Sequence, residues 1–261
     1  MATLQGSWIW YELMTPDVAG AKAFYDAVVG WSMAAGTPET NGYGFITAAD
    51  GAMIGGVLEL TGDMTANGAR PCWLGYVGVD DVDASVAAIV AAGGKVLMPA
   101  WDVPMTGRIA MVADCCGAPF YVMTPTPPPG GGDSTSFAAL PNPGHCGWNE
   151  LLAGNQQNAI GFYTGLFGWT LPDPMDMGPM GTYQFIAHDG VMVGAIMARP
   201  EEVPAPLWCH YFWVDGIEAA KGRIEAAGGQ IVNGPHEVPG PLWVVQGVDP
   251  QGALFSLVGP R

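Results

Sequence analysis

The sequence predicts an α+β protein of two tandem domains, because it repeats at long range and each repeat alternates strands with helices. The segment at residues 8–13, Trp-Ile-Trp-Tyr-Glu-Leu, returns at residues 146–151 as Cys-Gly-Trp-Asn-Glu-Leu. Trp148 thus follows Trp10 by 138 residues, and Phe-Tyr and Gly-Trp pairs recur at the same offset. This offset exceeds the few tens of residues of a solenoid repeat, so it indicates a duplicated domain.

The first module of the chain is predicted as strand, helix and three strands. Residues 8–14 are aromatic and branched, and strand alternation places four side chains on one face: Trp8, Trp10, Glu12 and Met14. Thr15 or Asp17 can cap a helix that has Pro16 at its first position and ends at Gly30. Three short strands follow, separated by Asn-Gly and Asp-Gly turns, near residues 31–35, 43–48 and 53–60.

The same order then recurs in the rest of the chain. Residues 73–79 are predicted as a strand, Asp80-Asp81 opens a helix that ends at Gly93-Gly94, and strands follow near residues 95–98, 108–112 and 119–123. In this module the repeat offset is 135, since Asp215 matches Asp80. The second domain is predicted to have helices at 156–167 and 217–227, and strands at 145–152, 182–187, 191–198, 207–214, 230–232, 243–247 and 253–258.

These patterns place the first domain at residues 1–124 and the second at residues 144–261. Residues 125–143 between them begin Pro-Thr-Pro-Pro-Pro-Gly-Gly-Gly-Asp-Ser-Thr-Ser. Such a sequence is too polar and too broken to pack, so we expect a linker that is stiff at its proline end and loose at its glycine end.

Composition excludes several partners and compartments. The 261 residues include 24 acidic and 8 basic side chains, for a net charge of −16, and no two basic residues are adjacent. A phosphate-binding surface needs clustered cations, so nucleic acid and anionic membranes are disfavoured as partners, while neutral or cationic ligands are mildly favoured. No apolar run is long enough to span a membrane. The first residues lack signal-peptide features, and five cysteines suit no disulfide framework, so we expect a reduced, cytoplasmic protein.

Several short motifs resemble the vicinal oxygen chelate superfamily. They are the Phe-Tyr…Gly-Trp helix ending, the Val-Asp-Asp-Val-Asp helix opening, the Ala-Ala-Gly-Gly turn and the Asp-Pro-Gln-Gly hairpin at residues 249–252. That group contains glyoxalase I, extradiol dioxygenases, methylmalonyl-CoA epimerase, and fosfomycin and bleomycin resistance proteins. The resemblance covers both domains, and it is greatest to tandem glyoxalase-like bacterial proteins often labelled as hydroxylases.

The resemblance implies that each pair of modules curls into an incomplete barrel around a cavity. It also implies that the two domains pack as the subunits of a homodimeric relative do. We therefore expect a monomer with an internal pseudo-dimer, and leave further oligomerisation open.

Enzymes of this family hold a divalent metal with four side chains from the first and last strands of their modules. The resemblance places these positions at Trp10, Glu59, Leu74 and Tyr121 in the first domain, and at Trp148, Ala198, Cys209 and Ser256 in the second. Only Glu59 is a good oxygen ligand and Cys209 a soft one, although a one-residue register slip would bring in His210. We expect no family-type metal centre and no cofactor; a divalent metal is the family alternative.

Aromatic side chains with a carboxylate among them occupy the faces where the metal ligands would stand. We expect ligand cavities lined by Trp10, Glu12, Tyr76 and Tyr121, and by Trp148, Glu150 and Tyr211, with Glu59, Leu74, Cys209 and Ser256 as further contacts. Glu12 and Glu150 are candidate general bases, and Glu59 is expected to pair with Glu12. The other interpretation is that these tryptophans belong to the core and the glutamates bond the backbone at strand ends.

Other candidates carry less chemistry. Met175, Met177 and Met180 lie in an apolar loop that is either a lid over the second cavity or an ordinary surface loop. Cys115-Cys116 occupies a hairpin turn in a domain without histidine, so we do not expect a thiol nucleophile there. His188 and His236 are expected in solvated turns.

Three classes of function remain open. A metal-free binding protein, like the bleomycin resistance group, would hold a flat or cationic small molecule by stacking and charge. A lyase or isomerase would use Glu12 or Glu150 to remove a proton next to a carbonyl. A duplicated domain that has lost its chemistry would serve as an interaction module.

Overall fold

The structure, a computed structural model that describes residues 4–126 and 134–261, contains two eight-stranded sheets. The first repeat forms β1 Trp8–Thr15, α1 Val18–Val28, β2 Ser32–Ala34, β3 Gly44–Thr47, β4 Met53–Glu59, α2 Gly62–Ala66, β5 Cys72–Gly78, α3 Val82–Ala91, β6 Lys95–Val103, β7 Gly107–Ala113 and β8 Pro119–Pro125. The second repeat forms β9 Cys146–Ala153, α4 Gln156–Phe167, β10 Met175–Asp176, β11 Thr182–His188, β12 Val191–Ala198, β13 Leu207–Trp213, α5 Ile217–Ala226, β14 Gln230–Val238, β15 Leu242–Val248 and β16 Leu254–Gly259.

Each sheet takes all its strands from one repeat. The first has the order β2-β3-β4-β1-β5-β8-β7-β6, and the second has the matching order β10-β11-β12-β9-β13-β16-β15-β14. The pairs β1–β4, β5–β8, β12–β9 and β13–β16 are parallel, whereas the hairpin pairs are antiparallel. The strand–helix–strands order predicted from the sequence is therefore present, while α2 and β10 were not predicted.

Side-chain caps fix where the main helices begin. The carboxylate of Asp17 accepts a hydrogen bond from the backbone N–H of Gly20, so Asp17 rather than Thr15 caps α1. Asp81 and Asn155 cap α3 and α4 in the same way. Each cap satisfies one of the backbone donors that the first helical turn leaves unpaired.

The chain packs as two compact units, and neither is a contiguous half. Of the described residues, unit A contains 4–9, 75–126, 134 and 148–208, and unit B contains 10–74, 135–147 and 209–261. Each unit thus combines residues from both repeats.

The core of unit A contains a buried hydrogen-bonded chain of three side chains. Trp208 Nε1 donates to the hydroxyl of Tyr163 at 2.9 Å, and that hydroxyl donates to Asp114 Oδ2 at 3.3 Å. Trp169 stacks on Tyr163 with ring centroids 5.4 Å apart. Burial, followed by the charge of Asp114, raises the pKa of Tyr163 well above its ordinary value, so the phenol remains a proton donor.

The core of unit B repeats this arrangement with the matching residues. Trp73 Nε1 donates to Tyr25 at 2.9 Å, and Tyr25 donates to Asp249 Oδ2 at 3.0 Å. Asp249 also accepts backbone N–H groups of Gln251 and Ala253 in its hairpin. The aspartate therefore holds a turn and a tyrosine at once, which explains why the Asp-x-x-Gly hairpin recurs in both repeats.

The segment between the repeats packs over part of its length, contrary to the expectation of an unpacked linker. Residues 127–133 lie outside the described residues. Beyond them, Ser134 Oγ donates to the carbonyl of Ile9 at 2.6 Å in unit A. In unit B, Phe137 forms a β-bridge with Cys146, and Trp213 Nε1 donates to the Ala138 carbonyl at 2.9 Å. The polar residues here satisfy backbone groups at strand ends, so they can be buried.

Within residues 4–126 and 134–261, every helix is too short or too polar to cross a bilayer.

Candidate ligand-binding site

The predicted second-domain site contains a hydrogen-bonded chain that ends on its glutamate. In unit A, Trp148 Nε1 donates to the hydroxyl of Tyr183 at 2.8 Å, and that hydroxyl donates to Glu150 Oε2 at 2.7 Å. Phe185 packs edge-on against Trp148 at 6.0 Å and against Tyr183 at 5.5 Å. All four side chains are half-buried, so solvent reaches their surface. We call Trp148, Glu150, Tyr183 and Phe185 the Trp148 cluster.

The first repeat builds a matching group in unit B. Trp10 Nε1 donates to the hydroxyl of Tyr43 at 2.9 Å, and Phe45 packs edge-on against both rings. Glu12 stands two residues along β1 on the same face as Trp10 and is only 2% exposed. We call Trp10, Glu12, Tyr43 and Phe45 the Trp10 cluster.

The tyrosine of the Trp10 cluster lies over the strand position opposite the glutamate. Glu12 lies opposite Gly56 in the parallel β1–β4 pair. A Cβ atom at Gly56 would come within 2.1 Å of the Tyr43 hydroxyl, so the phenol ring lies directly over this glycine. The absence of a side chain at Gly56 thus makes room for Tyr43 at the level of Glu12.

Sequence reasoning missed Tyr43 and Tyr183, although a signal for both is present. Tyr-x-Phe-Ile occurs at residues 43–46 and again at residues 183–186. Strand alternation puts the tyrosine and phenylalanine of each copy on one face. Only the registers of the intervening strands, β4 and β12, then show that this face is shared with Trp10 or Trp148.

The tyrosines predicted on the neighbouring strands form separate pairs. In unit A, Tyr76 and Tyr121 are register partners and stack with centroids 4.3 Å apart, with Trp101 edge-on to Tyr121 at 6.4 Å. In unit B, Tyr211 lies opposite Ser256, and its hydroxyl accepts a hydrogen bond from Gln246 Nε2 at 2.9 Å. Leu74 and Cys209 are buried two residues earlier on the same strands.

Glu59 does not join the Trp10 cluster, and the expected pairing of Glu12 with Glu59 is wrong. Glu59 lies opposite Thr15, three residues beyond the level of Glu12, which is about 10 Å along a strand. An odd number of residues also places its side chain on the other face, where it is exposed. The prediction rested on the two strands being neighbours, which does not fix the register between them.

Two histidines also differ from expectation. His188 ends β11 and is 7% exposed, with Nε2 2.8 Å from the Gln5 carbonyl, so it is not a solvated turn residue. His236 is exposed but lies within β14 and contacts Asn233 Oδ1 at 2.8 Å.

His210 lies in the core of unit B and not among the candidate site residues. Its ring packs against Tyr11 at 4.9 Å, and burial lowers its pKa to about 3. It is therefore neutral near pH 7. Beside β1 in the same unit, burial and the charge of Glu12 raise the pKa of the Cys72 thiol to about 12.

The loop with three methionines borders the Trp148 cluster. Met175 in β10 pairs with Tyr183 in β11, and a short 3₁₀ turn at Gly178–Met180 follows. Met180 is 56% exposed. The loop is thus tied to the strand that carries Tyr183, while its tip faces solvent.

A glyoxalase-type metal site needs nitrogen or carboxylate ligands at all four places. The ligand positions implied by the resemblance, such as Trp10, Leu74 and Trp148, do not supply them, and neither do the residues paired across the parallel strands. The parallel pairs are Glu12 with Gly56, Tyr76 with Tyr121, Glu150 with Ala195, and Tyr211 with Ser256. Across the part of the chain that the structure describes, no three His, Cys, Asp or Glu side chains come together as a metal-holding group.

A cavity of about 270 Å³ lies in unit A away from both clusters. It is lined by the start of α3 and the end of α4, and none of the predicted site residues borders it.

Comparison with known proteins agrees with the repeated architecture. The family model described as Glyoxalase/Bleomycin resistance protein/Dioxygenase superfamily matches residues 9–121 and again residues 143–257. "Putative glyoxylase CFP32" of Mycobacterium bovis is 32% identical over 267 residues, covering 98% of this chain and 95% of that protein. "Anthracycline biosynthesis protein DauV" of Streptomyces sp. (strain C5) is 29% identical over 269 residues, covering 98% and 94%.

Solved structures are similar in fold. The Mn(II)-bound glyoxalase from Novosphingobium aromaticivorans matches with a TM-score of 0.62 at 19% identity, covering 99% of this chain and 82% of that chain. The 2,3-dioxygenase LapB from Pseudomonas sp. KL28 matches with a TM-score of 0.63 at 14% identity, covering 98% and 93%. The predicted α+β fold of two tandem domains, each of two βαβββ modules, is confirmed.

Proposed function

Because the chain belongs to the glyoxalase/bleomycin resistance protein/dioxygenase superfamily, we propose that it binds a small planar organic molecule on its Trp148 and Trp10 clusters without the family metal. The observation that carries this proposal is the chain from Trp148 through Tyr183 to Glu150, at 2.8 and 2.7 Å. It orients a carboxylate beside half-buried aromatic rings, which is the arrangement expected of a binding surface.

The chemistry of the clusters supports a flat ligand with a cationic or hydrogen-bond-donating group. Offset or edge contacts with aromatic rings contribute roughly 0.5–1.5 kcal/mol each beyond burial. A carboxylate held by a tyrosine accepts hydrogen bonds and attracts positive charge. The net charge of −16 disfavours phosphate esters. The name of the relative DauV, an anthracycline biosynthesis protein, agrees with a planar aromatic molecule.

Calorimetric titration with three tricyclic probes of different charge tests the proposal. We expect 9-aminoacridine, a planar cation, to bind, neutral phenazine to bind more weakly, and acridine-9-carboxylate to bind least. Glu150→Gln keeps an acceptor for Tyr183 but removes the charge, so it weakens the cation selectively. Glu237→Gln, at an exposed carboxylate in β14, is the matched control. Equal binding of all three probes, or no effect of Glu150→Gln and Glu12→Gln, contradicts the proposal.

A lyase or isomerase using Glu12 or Glu150 as general base is the second candidate. The burial of Glu12 favours it, since enzymes exclude water from the groups that transfer protons. The base would remove a proton from carbon next to a carbonyl. Deuterium incorporation from solvent into the methylglyoxal–glutathione hemithioacetal, followed by NMR, tests this activity. Loss of exchange in Glu12→Gln or Glu150→Gln supports it, whereas exchange that requires added metal contradicts the metal-free proposal.

A further inference from the structure

The cavity in unit A is a groove between helices α3 and α4. Its volume is about 270 Å³, slightly below the usual range for small-molecule pockets, so it suits a group the size of a side chain. Its walls and rim are formed by Gln5, Asp80, Asp81, Ala84, Ser85, Ala88, Ile89, Leu166 and Phe167. We call it the α3–α4 groove.

The matching place in unit B is occupied by an arginine side chain. Arg223 of α5 donates Nε–H to the carbonyl of Val28, the last residue of α1, at 3.0 Å. Its Nη2 donates to Asp215 Oδ1 at 2.8 Å. The guanidinium thus bridges the carbonyl at the end of α1 and the aspartate that precedes α5, the helix to which Arg223 belongs.

The repeat identifies the counterparts of these residues in unit A. Asp80 matches Asp215 and Ala88 matches Arg223, both at the 135-residue offset. Leu166 matches Val28 at the 138-residue offset. Unit A therefore keeps the aspartate and the helix-end carbonyl but has a methyl group where unit B has a guanidinium.

The α3–α4 groove also has the electrostatics that a cation needs. Leu166 is next to last in α4, so its carbonyl lies at the negative end of the helix dipole and has no donor within the helix. Gln5 links the two sides of the groove, because its Nε2 donates to this oxygen at 3.3 Å and its Oε1 accepts from the Asp80 backbone N–H at 3.0 Å. The Leu166 carbonyl keeps a second lone pair for another donor, and the Asp80 carboxylate is not used by Gln5. Asp80 is exposed at the rim.

We propose that the α3–α4 groove binds a small alkylguanidinium cation. One N–H of the guanidinium donates to the Leu166 carbonyl and others donate to the Asp80 carboxylate, as Arg223 does in unit B. The planar fork of donors matches a carboxylate better than an ammonium does, and the alkyl stem packs on Ala84 and Ala88. This binding is separate from the aromatic clusters, because none of their residues lines the groove.

Two-dimensional ¹H–¹⁵N NMR of the full chain, titrated with ethylguanidinium and its neutral isostere ethylurea, tests the proposal. We expect saturable shifts for the amides of residues 80–89 and 166–167 with ethylguanidinium only. Ala88→Arg places a tethered guanidinium in the groove and should abolish these shifts. Ala87→Arg, at the neighbouring exposed position, should leave them in place. Asp80→Asn should weaken binding about fivefold, as expected for a solvent-accessible ion pair.

Arg223→Ala supplies the reverse test. It empties the place in unit B, so ethylguanidinium should then also shift amides of residues 215–224 and Val28. If this variant is less stable, ethylguanidinium should raise its Tm and ethylurea should not. Shifts that do not saturate, that occur equally with ethylurea, or that persist in Ala88→Arg would overturn the proposal. The proposal would also be overturned if ethylguanidinium neither shifts the amides of Arg223→Ala nor raises the Tm of this variant.

Discussion

Tyr25 donates its hydroxyl hydrogen bond to Asp249 at 3.0 Å, although 224 positions separate the two residues in the chain. The contact joins helix α1 of the first module to the last hairpin of the fourth. Tyr163 and Asp114 form the corresponding contact in unit A at 3.3 Å. In the core of each unit, therefore, a helix tyrosine of one module is hydrogen-bonded to a hairpin aspartate of another module.

Removal of one of these hydroxyls should destabilise the fold. Tyr25→Phe leaves Asp249 and Trp73 without their shared partner, and a buried group deprived of its hydrogen bond costs about 1–3 kcal/mol. Urea unfolding measures the loss. Tyr43→Phe, at a half-buried hydroxyl, is the comparison variant and should cost less; an equal loss in both would contradict the assigned role of Tyr25.

The pKa of Asp249 should give this contact a pH signature. Burial raises the pKa of Asp249 above its ordinary value. A raised carboxyl pKa means that the folded state holds the proton more tightly than the unfolded state. The stability that Asp249 contributes to the folded state through its proton is therefore largest below the ordinary aspartate pKa. It is lost as pH rises through the pKa of Asp249 in the folded state. Relative to Asp249→Asn, the wild type should lose stability as pH rises across this window, as urea titrations at several pH values would show.

His210 should make the protein sensitive to mild acid. Burial lowers its pKa to about 3, whereas an unfolded histidine titrates near 6.5. As pH falls below that value, only the unfolded state gains a proton, so stability is lost between the two pKa values. At pH 4.5 the loss relative to pH 7 is about 2–3 kcal/mol. His210→Gln should reduce the difference in urea midpoints, while the exposed His236→Gln should leave it unchanged.

Gly56 should be essential to the arrangement of the Trp10 cluster. The Cβ of Gly56→Ala would meet the ring and hydroxyl of Tyr43 at 2.1–2.4 Å, so the ring must move away from Trp10. We expect a changed near-ultraviolet circular dichroism spectrum and weaker 9-aminoacridine binding, with the fold retained. Ala195→Gly, at the matching position of the second repeat, is the control. An unchanged spectrum in Gly56→Ala would refute the placement of Tyr43.

Replacing either of two glycines in α4 by alanine should increase the stability of the protein. Gly161 and Gly165 lie inside the helix, and a Cβ at either meets nothing within 4 Å. Alanine loses less backbone entropy in a helix than glycine, so each substitution should stabilise by about 0.8–1 kcal/mol. Thermal unfolding of the single and double variants checks this. A decrease in Tm would mean that another surface covers this face of α4.

The amino-acid sequence alone determined the repeat, the order of strands and helices, and the shared face of Trp10 with Glu12 and of Trp148 with Glu150. These follow from local chemistry, since alternation, capping residues and turn residues act within a few positions of each other. Tertiary structure decided which faces meet. The register of β4 against β1 moved Glu59 away from Glu12, and the register of β11 brought Tyr183 onto Glu150. The packing of helices brought Arg223 to Val28 and left Ala88 beside an open groove. Partnerships between residues more than a hundred positions apart depend on register and helix packing, which are set by the summed burial of many side chains and not by any one local motif.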